Sequence, residues 1–178
     1  MPRAAGQASK EVLAKQALAS DAPALSLSVQ YGVAEPQLPR WRLRRWVERG
    51  LAGACGELPE PPARAQLSIR LVGQAEGRRL NRDFRGRDYA TNVLTFEYGT
   101  DPTGTLHGDL VLCLPVLKRE AREQGKPLLE HAAHLTVHGT LHALGYDHIR
   151  VRDATRMEKL ETRILAGMGL PDPYLARD

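Results

Sequence analysis

The sequence has few cysteines, few aromatic residues and no long apolar run. Its two cysteines, Cys55 and Cys113, are too few for a disulfide framework, and such scarcity is typical of a reducing compartment. Aromatic residues make up only 5% of the chain. The longest apolar stretch covers eight residues, 110–117, and contains Pro115, so the sequence predicts no membrane-spanning helix.

The N-terminal segment also lacks the apolar core of a signal peptide. Lys10, Glu11 and Lys15 interrupt it, and together with the missing membrane span this predicts a soluble, cytoplasmic protein. Residues 1–22 are rich in Ala, Ser and Gln without a clear apolar face, so we expect a flexible extension there. Residues 23–178 are predicted to form one domain, because 178 residues with 42% hydrophobic content suit a single packed core.

Three histidines stand close together near the end of the chain. His138, His142 and His148 lie within the run HGTLHALGYDH, at positions i, i+4 and i+10. The first two are one helical turn apart, so their imidazoles project from one face of a helix. Gly145 suits a left-handed residue that ends the helix, and the turn it permits brings His148 toward the pair.

Three imidazoles in this pattern predict a Zn²⁺ site with one coordination position left for water or substrate. A closed structural site needs a fourth protein ligand, so three ligands are typical of a catalytic centre. A single histidine on a helix is usually a surface or core residue, and an i, i+4 pair arises by chance. The third histidine, placed just after a glycine that ends the helix, favours the metal site.

Apolar periodicity predicts an α+β fold with a single mixed four-stranded sheet packed by helices. Strands are predicted near 25–29, 67–71, 92–98 and 108–114, and helices near 41–54, 74–83, 115–124, 128–144 and 153–168. A short turn joins the third and fourth strands, which predicts an antiparallel pair, and the nearly continuous apolar run of the fourth predicts a central position. The metal-binding helix is expected to pack on the sheet. The last helix has an apolar stripe formed by Met157, Leu160, Ile164, Leu165 and Met168.

Gly139 separates this histidine run from the short zinc-protease motif. In that motif a glutamate follows the first histidine and serves as general base, and here the position is glycine. The absence of this base disfavours a peptidase. Gly139 either leaves room for a bulky substrate or allows close packing on the sheet, and the sequence does not separate these two interpretations.

Five arginines lie between residues 78 and 88, in a chain of net charge +4. Guanidinium groups bind phosphate in bidentate fashion, and phosphodiester cleavage needs positive charge near the non-bridging oxygens. Arginine runs are usually solvated surface, and we expect that of most of these five. Arg82, Arg85 and Arg87 are the candidates for substrate binding.

Three blocks together resemble the YbeY endoribonucleases: LNRDFRGRDYATNVLTF at 80–96, GDLVLC at 108–113 and the histidine run. The resemblance covers residues 24–175. It departs from the common pattern at Glu97, where many members have proline after the strand phenylalanine, and in the N-terminal extension. Neither departure touches the three histidines.

The resemblance implies a zinc-dependent endoribonuclease that cleaves single-stranded RNA. Members act in ribosomal RNA processing, notably at the 3′ end of the 16S RNA of the small subunit, and in ribosome quality control. Carried over, His138, His142 and His148 are the ligands of one Zn²⁺ per chain and share the catalytic role with Arg85, which faces the RNA. The implied partners are a ribosomal RNA precursor and the small ribosomal subunit. The residues do not decide whether water or the ribose 2′-hydroxyl is the nucleophile.

Several polar residues near the motif have two interpretations each. His131 and His134 either line the cleft, supporting the ligands or a proton transfer, or form a polar rim on a partly buried helix. Asp147 either orients a histidine or caps its own turn, and Asp109 has the same two possibilities. Two other functions also stay open: a metallohydrolase of peptides or amides, and a non-catalytic ribosome-assembly factor with structural zinc.

Overall fold

The computed structural model describes residues 22–176, so the predicted N-terminal extension lies outside the described residues apart from Ala22. Within this range four strands and five helices follow one another along the chain. In chain order they are β1 (Ala24–Tyr31), α1 (Arg40–Cys55), β2 (Arg64–Val72), α2 (Gln74–Arg85), β3 (Val93–Thr100), β4 (Thr105–Cys113), α3 (Leu114–Glu123), α4 (Leu128–Ala143) and α5 (Val151–Ala166).

The four strands form one mixed sheet in the order β1-β2-β4-β3. β1 pairs with β2 and β2 with β4 in parallel, whereas β3 and β4 form an antiparallel hairpin. The predicted α+β class, the mixed four-stranded sheet and the interior position of the fourth strand are thereby confirmed.

Strand alternation divides the core between the two faces of the sheet. Leu110 and Leu112 of β4 belong to the larger cluster, which also contains residues of α1, α4 and α5. Val111 and Cys113 point the other way, into a smaller cluster with Leu94 of β3 and Val116 of α3. The histidine-bearing helix α4 therefore packs on the larger core, in contact with β3, β4 and α1.

The β3–β4 hairpin is longer than predicted from the sequence. β3 continues to Thr100 and β4 begins at Thr105, whereas the sequence suggested ends near 98 and 108. The reason is a tight turn in which Asp101 Oδ1 accepts hydrogen bonds from the backbone N–H groups of Thr103 (2.8 Å) and Thr105 (3.1 Å). Gly104 adopts a φ of 79°, which favours glycine.

Both cysteines are buried and unbridged, as their small number predicted. Burial raises the pKa of the Cys55 thiol to about 11, so this thiol stays protonated at neutral pH. In residues 22–176 the helices are all too short or too polar to cross a bilayer.

Candidate metal centre and substrate cleft

Helix α4 brings His138 and His142 to one surface. The backbone of α4 lies close to the sheet at Gly139, where an added Cβ would stand 2.7 Å from Leu110 Cδ2. This contact favours the close-packing interpretation of Gly139 over room for a substrate. The two histidines emerge beside this contact, with their Nε2 atoms 3.1 Å apart.

A Schellman turn ends α4 and redirects the chain toward the histidine pair. Gly145 has a φ of 92°, as the sequence predicted for a left-handed residue. Its N–H donates to His142 O (2.8 Å), and the N–H of Tyr146 donates to Leu141 O (3.0 Å), which is the hydrogen-bond pattern of that motif. His148 therefore lies next to the other two rings, with centroid distances of 5.7 Å to His138 and 4.9 Å to His142.

Asp147 holds the turn that carries His148. Its Oδ1 accepts hydrogen bonds from the backbone N–H groups of His148 (2.6 Å) and Ile149 (3.0 Å). This is the capping role rather than a hydrogen bond to an imidazole. Asp147 thus orders the backbone beside His148, and it lines the same cleft.

The three imidazoles form a donor set that fits a metal ion. One ring nitrogen from each lies within 4.8 Å of the others, and among residues 22–176 no fourth carboxylate, thiol or imidazole joins this group. Burial lowers the pKa of His142 to about 4, with smaller contributions from His138 and His148. His142 is therefore neutral at pH 7, and its lone pair is available to a cation.

A fully buried glutamate, Glu161 of α5, lies behind the histidine pair. Its Oε1 is 2.6 Å from His138 Nδ1, and its Oε2 is 3.0 Å from His134 Nε2 and accepts a hydrogen bond from the Tyr174 hydroxyl. Burial alone would raise its pKa, but the hydrogen bonds from His134 and His138 lower it to about 2. Glu161 is therefore ionised at neutral pH.

The sequence interpretation missed both Glu161 and Tyr174. Glu161 interrupts the apolar stripe of α5, standing between Leu160 and Ile164 on the buried side. A charged residue at a core position is the signal that was available, since carboxylates are almost never fully buried unless paired. Tyr174 follows two prolines after the last helix, and its sequence context carries no such signal.

The three histidines line a cleft of about 530 Å³ at the edge of the sheet. Arg85, from the end of α2, lines the same cleft together with Thr95 and Glu97 of β3. A larger groove of about 780 Å³ runs between α1, α5 and the start of β1, but its lining contains no histidine. We therefore place the candidate site in the smaller cleft.

The other arginines of the run have partners of their own. Arg78 pairs with Asp88, Arg79 lies 3.9 Å from Glu76, Arg82 pairs with Asp83, and Arg87 donates to the Tyr89 hydroxyl. In the described chain Arg85 makes no hydrogen bond or ion pair of this kind. Of the three predicted substrate-binding arginines, the structure brings only Arg85 to the histidines, whereas Arg82 and Arg87 lie outside the cleft lining.

Glu97 adds a carboxylate to the cleft. Its Oε1 is 3.8 Å from His142 Nδ1, and its side chain is half exposed. Burial and the nearby charge of Asp147 raise its pKa, and Arg85 acts in the opposite direction.

Two further polar residues lie apart from the three-histidine group. His131 is buried and lies 2.7 Å from Glu120, outside the cleft lining. Asp109 accepts hydrogen bonds from Ser68 and from the Tyr98 hydroxyl (2.9 Å), so its partners in the structure are hydroxyl groups and not imidazoles.

The sequence matches a known family over most of its length. A family model described as "Endoribonuclease YbeY" matches residues 32–169. The chain belongs to the YbeY family. The resemblance based on the three sequence blocks is thereby confirmed, and the histidine cluster and the cleft with Arg85 lie within the matched residues.

Named YbeY proteins are highly similar to this chain. The "Endoribonuclease YbeY" of Bordetella petrii is 74% identical over 152 residues, covering 85% of this chain and 98% of that protein. The Bordetella pertussis protein of the same name is 72% identical over 152 residues, covering 85% and 97%. That of Alkalilimnicola ehrlichii is 54% identical over 164 residues, covering 89% and 96%.

The solution structure of TM1509 from Thermotoga maritima has a similar fold. It covers 84% of this chain and 99% of its own, with a TM-score of 0.52 and 22% sequence identity. At that identity the similarity supports the shared fold alone. The YbeY assignment therefore depends on the sequence matches, and the fold agrees with it.

Proposed function

We propose that this protein is a zinc-dependent endoribonuclease that hydrolyses phosphodiester bonds in single-stranded regions of a ribosomal RNA precursor. The single observation that carries the proposal is the position of three convergent imidazoles in one cleft with an arginine that has no ion-pair partner. The close relatives named endoribonucleases support the RNA substrate. We further propose that the protein acts in the cytoplasm on the 3′ end of 16S RNA and in ribosome quality control, with the small ribosomal subunit as partner.

The chain's own residues have separable roles in this proposal. His138, His142 and His148 hold the cation, which when bound polarises a phosphoryl oxygen or a water molecule. Arg85 binds the scissile phosphate or its neighbour and neutralises the charge that builds up on its oxygens. Asp147 keeps His148 in place through its two backbone hydrogen bonds.

The donor set favours zinc over magnesium or calcium. Imidazole nitrogen suits Zn²⁺ and other late transition metals, whereas Mg²⁺ and Ca²⁺ prefer oxygen ligands. Three protein ligands leave a coordination position open, which is the arrangement of catalytic zinc sites.

Gly139 argues against the peptidase alternative. In the zinc-protease helix this position carries the general base, but here it faces Leu110 and Thr95 of the sheet. A glutamate side chain at this position would collide with the strands.

Replacing a ligand tests the proposal directly. We expect His138→Ala to lose the bound metal and RNA cleavage together, because two imidazoles hold Zn²⁺ far less tightly than three. Metal content is measured on the purified variant by elemental analysis, and cleavage on a 16S precursor transcript. The matched control is His131→Ala, since His131 lies outside the cleft on the same helix. Cleavage by a metal-free, folded His138→Ala protein would refute the proposal.

A further inference from the structure

Glu161 is a buried charge that the proposed reaction does not use directly. Its side chain is completely enclosed, and both carboxylate oxygens are occupied by groups from other parts of the fold. Enclosing a carboxylate is costly unless its partners compensate. A carboxylate directly behind a metal-binding imidazole needs an explanation that includes the imidazole.

We propose that Glu161, held in place by His134 and Tyr174, is the positioning residue that fixes the tautomer and orientation of His138 for metal binding. This inference rests on the metal centre of the proposed function. An ionised carboxylate only accepts hydrogen bonds, so His138 Nδ1 must carry the proton. The lone pair is then on His138 Nε2, the atom that faces His142 Nε2 at 3.1 Å.

The other carboxylate oxygen is fixed by two donors. His134 Nε2 and the Tyr174 hydroxyl both donate to Oε2. His134 Nδ1 is buried without a hydrogen-bond partner, which agrees with a neutral ring whose only proton is on Nε2. Glu161 therefore cannot rotate away from His138 without breaking two further hydrogen bonds.

The segment after α5 completes this arrangement by delivering Tyr174. Lys126 donates to Pro173 O (2.8 Å), and Asp172 Oδ1 accepts from the backbone N–H of Tyr174 (2.9 Å). The ring of Tyr174 also packs against His134, with centroids 5.3 Å apart. The C-terminal segment thus acts on the metal centre through Glu161, although it supplies no ligand.

His134, His138 and Glu161 also form a second group whose ligand atoms lie within 4.8 Å of one another. A metal ion bound there would require His138 Nδ1 to lose its proton and would displace the hydrogen bond at 2.6 Å. The positioning role predicts one metal ion per chain, and a second ion at this group would contradict it.

The experiment compares Glu161→Gln with the wild-type chain, using Zn²⁺ and Co²⁺ alone as probes. The glutamine amide has nearly the same shape but donates as well as accepts, so it no longer enforces one tautomer of His138. We expect Zn²⁺ affinity, measured by chelator competition, to fall about 10- to 100-fold. We expect the visible absorption spectrum of the Co²⁺ form to change, and NMR of the metal-free variant to show both His138 tautomers. The matched control is Glu158→Gln, an exposed position on the same helix, which should leave all three measurements unchanged.

Tyr174→Phe provides a second variant, because it keeps the ring and removes only one hydrogen bond. We expect a smaller loss of Zn²⁺ affinity, and this variant decides the question if Glu161→Gln does not fold. Unchanged affinity and tautomer in the folded variants, or two metal ions per wild-type chain, would overturn the inference. If the wild-type chain binds no metal, the proposed function fails. If it binds one ion that the variants bind equally well, only this inference fails.

Discussion

Arg82 and Arg85 lie three residues apart near the end of α2, yet their surroundings differ. The guanidinium of Arg82 lies 3.1 Å from Asp83, whereas Arg85 lines the histidine cleft and has no comparable partner among the described residues. An anionic substrate meets an uncommitted cation at Arg85 but must displace a carboxylate at Arg82. The two positions therefore form a natural pair for testing where phosphate binds.

We expect Arg85→Ala to lower the single-turnover rate of RNA cleavage by about 100-fold, since removing one donor to a developing anionic charge has an effect of this size. The metal content should not change, because Arg85 is not a ligand. Arg82→Ala, the matched control, should cleave within about twofold of the wild-type rate. A loss of RNA affinity in Arg85→Ala without any loss in the single-turnover rate would instead favour the assembly-factor function.

Single residues also mark the limit of what the sequence could reveal. The spacing of His138, His142 and His148 predicted a group that the structure does bring together, because spacing along a helix and a glycine turn are local properties. Glu161 comes from a different helix, and its distance from His138 depends on how α5 packs against α4. A sequence pattern carries little information about such packing.

At the scale of elements, two equivalent Schellman turns separate the metal site from the general cost of a turn. Gly145 ends α4 with a φ of 92°, and Gly125 ends α3 with a φ of 62° and the same pair of hydrogen bonds. Neither position has an atom within 4 Å of an added Cβ. The two glycines thus differ mainly in that Gly145 is followed by His148.

We expect alanine at either glycine to lower the free energy of unfolding by about 1–2 kcal/mol, the cost of a left-handed conformation for a residue with a Cβ. Gly145→Ala should also weaken Zn²⁺ binding by about tenfold, because relieving this strain moves His148. Gly125→Ala should bind Zn²⁺ like the wild-type chain. Denaturant unfolding and chelator competition give the two quantities, and equal Zn²⁺ affinities in both variants would contradict this role of Gly145.

The packing of α4 on the sheet depends on Gly139. Since an added Cβ would stand 2.7 Å from Leu110, we expect Gly139→Ala to destabilise the fold by about 1–3 kcal/mol, a typical cost of overpacking. Gly56→Ala is the control, because Gly56 has an ordinary φ of −64° and open space around its Cα. Denaturant unfolding of both variants is the measurement. A Gly139→Ala protein as stable as Gly56→Ala would show that α4 has room to move.

At the scale of the whole molecule, the sequence predicted the class, the mixed sheet and the antiparallel hairpin, because each follows from periodicity and short connections. Less could be predicted about the ends of elements. The hairpin exceeded its predicted length because the turn at Asp101 is stabilised by its own side chain. The position of α4 between the sheet and α1 results from close approaches at Gly139 and Gly50, which periodicity does not encode.

The metal centre connects parts of the chain that are distant in sequence, so metal binding should stabilise the whole fold. Its ligands come from α4 and the following turn, and Glu161 links them to α5. A ligand that binds only the folded state stabilises it by about 2.7 kcal/mol at a concentration 100 times its Kd. For a chain of this length that energy corresponds to a rise in Tm of roughly 5–10 °C. We therefore expect Zn²⁺ at that concentration to raise the Tm of the metal-free protein by this amount, and excess EDTA to reverse the rise. His142→Ala should show almost no shift, whereas a shift as large as that of the wild-type chain would mean that Zn²⁺ stabilises the fold from another site.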